Sequence, residues 1–195
     1  MDIRAASLKA SFPRVLRYTD LRSYLFTIVF VAAGVAVPWG FHRFHLAGAT
    51  FLPMHLFVLA AGLAFGWRAG LVTGLLTPLV SFSVSGMPPL AILPQVIAEI
   101  AAYGLIAGLL SEKYHLGTVK ALLGGMAGGR LALLVFLLVS YLISGQSQSP
   151  LGAETSPLAS AWATVRLGWP GILLQLTILP LGFWLAGRSI TRRAK

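Results

Sequence analysis

Long apolar stretches recur along this 195-residue chain and leave few charged residues to solvate a surface. Hydrophobic residues make up 57% of the sequence and charged residues only 10%, and the mean hydropathy is +0.83. A soluble domain carries about 25% charged residues. Helices satisfy their own backbone hydrogen bonds in hydrocarbon, and these stretches lack the alternation of barrel strands. The sequence therefore predicts an all-α, polytopic membrane protein.

The apolar stretches divide into six predicted transmembrane helices in one bundle, because one crossing takes about 20 residues. The predicted spans are 24–41, 51–66, 69–85, 90–110, 120–143 and 167–187. We expect a basic cytoplasmic segment at 1–22, a six-helix membrane domain at 23–188 and a basic cytoplasmic tail at 189–195. The stretch at 144–160 is rich in Ser, Gly, Gln and Pro, which predicts a long outer loop.

The net charge of +10 is distributed in a way that indicates membrane orientation and argues against nucleic-acid binding. With six spans, twelve of the 15 Lys and Arg residues fall on one side, only Arg43 and Arg166 fall on the other, and Arg130 lies inside a span. An excess of Lys and Arg marks the cytoplasmic side, so both termini are predicted to be cytoplasmic. A cleaved signal peptide ending near residues 31–37 would break this asymmetry, and we expect none.

The sequence offers little material for catalysis. It has no cysteine, which excludes disulfides and thiol chemistry, and it contains no P-loop, zinc-protease or nucleophile-elbow motif. Four of its five carboxylates lie in the N-terminal segment or in loops, which leaves Glu99 as the one intramembrane acid. We expect no enzymatic activity and no bound metal or cofactor. We interpret His55 as an interfacial hydrogen-bonding residue in preference to a metal ligand.

Glu99 and Arg130 are the charged residues predicted near the middle of a span. A central charge costs about 2.5–3.5 kcal/mol on insertion scales, so neither side chain is expected to face lipid. Their helices are joined by a short loop, which predicts antiparallel neighbours with both residues at similar depth. A buried ion pair and a polar ligand cavity both explain this placement, and the two can coexist.

Further polar residues favour a cavity. Gln95, Glu99 and Tyr103 follow one another at four-residue spacing and therefore share one helix face. Gln175 places an amide in the last span, where a ligand contact and a helix–helix hydrogen bond both stay open. Trp39 and His55 lie at outer span boundaries. We predict that these residues and Arg130 contact or close over a ligand.

Small residues also recur at four-residue spacing, as in Gly62, Gly66, Gly70 and Gly74, and again in Ala32 and Ala36 of the first span. This spacing lets helix backbones approach closely. We expect most of these residues to pack the bundle internally.

The order of these pieces resembles the substrate-binding S components of energy-coupling factor (ECF) transporters. The resemblance covers most of residues 24–187 and is carried by the following segments: Leu52-Pro53-Met54-His55-Leu56, the glycines at 62–74, Pro78, Gly86-Met87-Pro88-Pro89, Glu99, Tyr103-Gly104, Gly128-Gly129-Arg130 and Trp169 to Gln175.

The resemblance implies a vitamin or related micronutrient bound within the membrane, toward its outer side, in a bacterial or archaeal cytoplasmic membrane. It further implies that Ala32 and Ala36 dock on a membrane coupling protein, and that ATPase subunits are separate chains. Corrinoid, flavin, pterin and thiamin ligands all stay open. A self-sufficient ion-coupled transporter or channel using Glu99, a membrane enzyme acting on lipids, and a purely structural subunit are the alternatives.

Overall fold

A computed structural model describes residues 21–44, 48–154 and 156–193. Most of the predicted segment at 1–22 and the end of the tail at 189–195 lie outside these ranges. The elements in chain order are α1 (Leu21–Arg43), α2 (Gly48–Phe51), α3 (Pro53–Phe65), α4 (Trp67–Ser85), α5 (Leu93–Glu112), α6 (Thr118–Ser144), β1 (Ser147–Ser149), β2 (Gly152–Glu154) and α7 (Pro157–Arg193).

The architecture confirms the all-α, polytopic prediction for the part of the chain that the structure describes. Five helices, α1 and α4 to α7, are long and apolar enough to cross a membrane, and α3 is a shorter apolar helix. Its 13 residues extend about 20 Å, less than the hydrocarbon thickness of about 30 Å. The helix is short because Leu52 adopts a left-handed conformation at its N-cap, with φ of 50°, and separates it from α2.

The predicted outer loop at 144–160 is too long, and the last helix begins earlier than predicted. β1 and β2 pair as an antiparallel hairpin, with Ser149 opposite Gly152, and α7 starts at Pro157. Arg166, expected on the outer side just before the last span, therefore lies within α7. At 37 residues, α7 is about 55 Å long and exceeds the thickness of a bilayer. The span prediction missed its first turns because they lack a continuous apolar stretch.

The glycines of α3 and α4 bring these helices into backbone contact with α5. A Cβ on Gly62 would lie 2.6 Å from the carbonyl oxygen of Gly104, and one on Gly74 would lie 2.6 Å from the Cα of Ala101. Gly70 and Gly104 face each other so closely that a Cβ on either would overlap the backbone of the other. The predicted role of these glycines in internal packing is confirmed.

The two ends of the bundle differ in how they are filled. Toward the end formed by the α3–α4 and α5–α6 connections, a continuous apolar cluster fills the space between the helices, and its buried members are Leu59, Leu63, Tyr103, Ala107, Ala121, Leu122, Met126 and Leu179. At the opposite end, the C-terminal part of α1, the start of α3, the α4–α5 loop and the hairpin surround an open space. By the distribution of Lys and Arg, this open end is the outer one.

The Gly70–Gly104 contact predicts that Gly70→Ala destabilises the fold. Backbone atoms cannot move aside as a flexible side chain can, so we expect a loss of about 1–3 kcal/mol and a lower unfolding temperature in detergent. Gly182→Ala is the matched control, because a Cβ at this helical position meets nothing within 4 Å. Equal unfolding temperatures for the two variants would contradict the close packing of α4 on α5.

Candidate ligand-binding site

A cavity of about 390 Å³ occupies the outer end of the bundle. It is bounded by residues from four helices (α1, α3, α5 and α7), the α4–α5 loop and the hairpin. Its lining is largely apolar and rich in proline: Pro38, Leu52, Pro53, Met54, His55, Met87, Pro88, Pro89, Ala91, Ile92, Val96, Glu99, Ile100, Gln148, Ser149, Pro150, Gly152, Thr164 and Leu167. A concave, mostly apolar space with a few convergent polar groups is the usual form of a small-molecule site.

Glu99 and Arg130 form an ion pair between α5 and α6. The Nη1 atom of Arg130 donates to Oε1 of Glu99 at 2.6 Å, and the two side chains are 17% and 3% exposed. Glu99 lines the cavity, whereas Arg130 does not. The ion pair expected from the sequence is present, and it lies in the wall of an open chamber. That this chamber binds a ligand stays a prediction.

His55 lies beside this pair in the first turn of α3. Its Nε2 atom is 3.9 Å from Oε1 of Glu99, which is too far for a hydrogen bond. The residue is 7% exposed, and neither ring nitrogen has a hydrogen-bond partner among the described residues. Since buried polar atoms normally have partners, His55 presents unmet hydrogen-bonding capacity at the wall of the cavity.

Tyr103 packs behind the polar wall and does not line the cavity. Its ring meets the His55 ring edge to face, with centroids 5.1 Å apart, and the Arg130 guanidinium carbon lies 5.9 Å from the ring centroid. Gly129 leaves room for it, because a Cβ there would overlap the Tyr103 ring. Tyr103 therefore holds the orientation of His55 and Arg130.

Gln95 connects α5 to the hairpin. Its Nε2 atom donates to the backbone carbonyl of Gln148 at 3.2 Å, and the side chain is buried. A second contact fixes the hairpin to α7, since the hydroxyls of Ser147 and Ser160 are 2.6 Å apart. The hairpin is thus held as a cover over one side of the cavity.

Gln175 supports the opposite wall. Its Nε2 atom donates to the carbonyl oxygen of Leu52 at 3.2 Å, and the residue is 1% exposed. A bulky residue in the left-handed region is strained by roughly 1–3 kcal/mol, so this bond helps to hold Leu52 where it lines the cavity and begins α3.

Trp39 lies away from the cavity lining and is 52% exposed. Its position at the outer end of α1 is that of an aromatic residue in the membrane interface. Arg130 borders a separate space of about 380 Å³ between α6 and α7, lined otherwise by apolar residues. Of the seven residues predicted to contact a ligand, His55 and Glu99 line the cavity, four others support its walls, and Trp39 lies apart.

The cavity residues that the sequence did not single out come mainly from the hairpin and from apolar positions. Ser149-Pro150-Leu151-Gly152 has the residue types of a tight turn, with Ser first, Pro second and Gly fourth, and this pattern could have indicated the hairpin. The apolar lining residues Ile92, Val96 and Leu167 carry no such mark, because in sequence they do not differ from residues that face lipid. Within the described residues, no group of three or more His, Cys, Asp or Glu side chains could hold a metal ion.

The fold is that of a polytopic membrane protein with a cavity between its helices. The sequence profile of the family described as "ECF transporter, substrate-specific component" matches residues 23–182, and the chain belongs to this family. Members are substrate-binding transport subunits, and the family implies association with ATPase subunits and a membrane coupling subunit. Comparisons with curated proteins and with solved structures gave no significant match.

The Gln95 contact predicts that Gln95→Met loosens the hairpin without altering the α2–α3 junction. Methionine has similar length but cannot donate to the Gln148 carbonyl, so we expect a local loss of about 1 kcal/mol and roughly fivefold faster amide exchange across residues 147–154. Hydrogen–deuterium exchange with mass spectrometry measures this.

Gln175→Met is the reciprocal control, because that amide bonds the Leu52 carbonyl instead. It should speed exchange near residues 50–56 and leave the hairpin unchanged. Faster hairpin exchange in both variants would show general loosening and contradict a specific contact.

Proposed function

We propose that this chain is the substrate-binding subunit of an ECF-type importer and binds a vitamin or related micronutrient within a bacterial or archaeal cytoplasmic membrane. The observation that carries the proposal is the cavity at the outer end of the bundle, with the buried Glu99–Arg130 pair in its wall. A solid apolar core with no opening would leave no space for a ligand and would contradict the proposal. The 390 Å³ volume lies near the lower end of the range of about 300–1,000 Å³ for small-molecule pockets.

The polar residues divide into two roles in this proposal. His55 and Glu99 contact the ligand, because they line the cavity. Arg130 and Tyr103 position these two groups, while Gln95 and Gln175 position the hairpin and Leu52. Trp39 acts at the membrane interface or meets a ligand as it enters.

Ala32 and Ala36 support the proposed docking to a coupling subunit. Both are exposed on α1, while Val31 and Val35 between and beside them are buried against the bundle. Small side chains on an outward face let a partner helix approach closely.

The proposal is tested by mass spectrometry of small molecules that copurify with the detergent-solubilised protein, followed by uptake assays of the identified compound. We expect uptake only when the ATPase and coupling subunits are present. Uptake by this chain alone, driven by an ion gradient, would support the ion-coupled alternative through Glu99.

Glu99→Gln should lower the copurifying ligand content about tenfold or more, because a charge-assisted hydrogen bond contributes about 1.5–3 kcal/mol. The ligand content is measured per mole of monodisperse protein, because the variant also loses stability when Arg130 is left without its partner. Glu112→Gln is the matched control on the same helix: this acid accepts a hydrogen bond from the Trp67 N–H at 3.1 Å, far from the cavity lining. An unchanged ligand content per mole of folded Glu99→Gln protein would indicate a purely structural ion pair.

Leucine at both Ala32 and Ala36 should abolish uptake and retain ligand binding, because the larger side chains keep the partner helix away. Ala127→Leu on α6 provides the control, since Ala127 is also an exposed helical alanine. Copurification with the coupling subunit and ligand content are measured in parallel. Lost ligand binding with intact assembly would show that the docking assignment is wrong.

A further inference from the structure

Among the described residues that line the cavity, the charge comes from a carboxylate. Glu99 lines it, and no Lys or Arg side chain is among its described lining residues. The nearest cation, the Arg130 guanidinium, reaches Glu99 from α6 and borders a different space. A ligand in the cavity therefore meets the carboxylate before it meets the cation.

The Glu99–Arg130 pair is neutral overall, but its orientation discriminates between ligands. Like charges at short range repel strongly where water is scarce, so a ligand carboxylate or phosphate beside Glu99 is disfavoured. A ligand N–H group or a cationic nitrogen would instead donate to Glu99, and hydrogen bonds to a charged acceptor are among the stronger ones.

His55 adds a second hydrogen-bonding group at the same wall. Both its ring nitrogens are buried without a partner among the described residues, and a neutral imidazole both donates and accepts. A ligand that carries a donor for Glu99 and a second polar atom for the imidazole would meet the unmet capacity of His55 and add a hydrogen bond to the Glu99 carboxylate.

The start of α3 offers few free backbone N–H groups to offset the repulsion between Glu99 and an anionic ligand, although helix N-termini generally favour negative charge. Pro53 has no N–H group, and the backbone N–H groups of His55 and Leu56 already donate to the Leu52 carbonyl at 3.1 and 3.4 Å. This leaves the N–H group of Met54 as the one in the first turn that an anion could use. The remainder of the lining is mainly Pro, Met and aliphatic side chains, which suit a compact apolar body.

We propose that the ligand is a small neutral or cationic nitrogen compound, which presents N–H donors to Glu99 and His55 and buries an apolar body among the prolines and methionines. Free carboxylates and phosphates are disfavoured at this wall. This inference rests on the proposed ligand-binding function and adds the charge class of the ligand to it.

The test compares pairs of compounds that share a skeleton and differ in the charged group. Purified protein is titrated with nicotinamide and nicotinic acid, pyridoxamine and pyridoxic acid, and biotinamide and biotin, and with thiamin as a permanent cation. Thermal unfolding and isothermal titration calorimetry measure binding, and mass spectrometry identifies any copurified molecule. We expect the nitrogen member of a binding pair to bind at least about tenfold more tightly than its carboxylate.

A carboxylate or phosphate compound that copurifies, or that binds as tightly as its nitrogen partner, would overturn the charge class and leave the proposed binding function intact. No copurified molecule together with no binding in either series would overturn both. A copurified neutral or cationic nitrogen compound supports both.

Variants of the ion pair provide the second measurement. Glu99→Gln leaves Arg130 buried without its partner and is prone to misfold, so the double variant Glu99→Gln with Arg130→Gln replaces the pair by two neutral amides. We expect this variant to fold and to lose about tenfold or more in affinity for the nitrogen compound that the wild type binds. Unchanged affinity in the folded double variant would overturn the assignment of Glu99 as the acceptor.

Discussion

The Glu99–Arg130 ion pair is the interaction on which the outer half of this bundle depends. A charge buried at mid-membrane is tolerated only with a partner, and removal of one member of a buried pair leaves an uncompensated charge that costs about 3–5 kcal/mol. The pair fixes α5 to α6 and turns the Glu99 carboxylate toward the cavity, with His55 beside it and Tyr103 behind. The same contact thus stabilises the fold and determines which chemical groups a ligand meets.

The inner and outer ends of the bundle differ in how closely their helices pack. Toward the cytoplasmic end, glycines bring α3 and α4 into backbone contact with α5, and an apolar cluster fills the remaining space. Toward the outer end, the helices are held apart by prolines, by the left-handed turn at Leu52 and by the hairpin. The bundle therefore combines a closely packed inner half with an open outer half.

Much of this arrangement could be predicted from the sequence, because the membrane limits the possible answers. Apolar continuity located the helices, and the cost of a buried charge required Glu99 and Arg130 to face inward. Gln95 and Gln175 were correctly identified as unusual, yet their amides bond backbone carbonyls of Gln148 and Leu52. An intramembrane amide needs a partner, and the sequence does not show whether that partner is a ligand or the chain itself. The start of α7 was misplaced because its first turns are polar enough to resemble a loop.

The sequence by itself determined that this chain lies in a membrane, how many principal helices it forms and which residues must avoid lipid. Its distribution of Lys and Arg predicted which end of the bundle faces the cytoplasm. These follow from transfer free energies, which depend on residue type and on position along a helix. Only the tertiary structure decided which polar groups reach a common space, that Glu99 rather than Arg130 lines it, and that the hairpin covers it. Such choices depend on helix rotation and on backbone contacts between residues distant in sequence, and no local pattern specifies them.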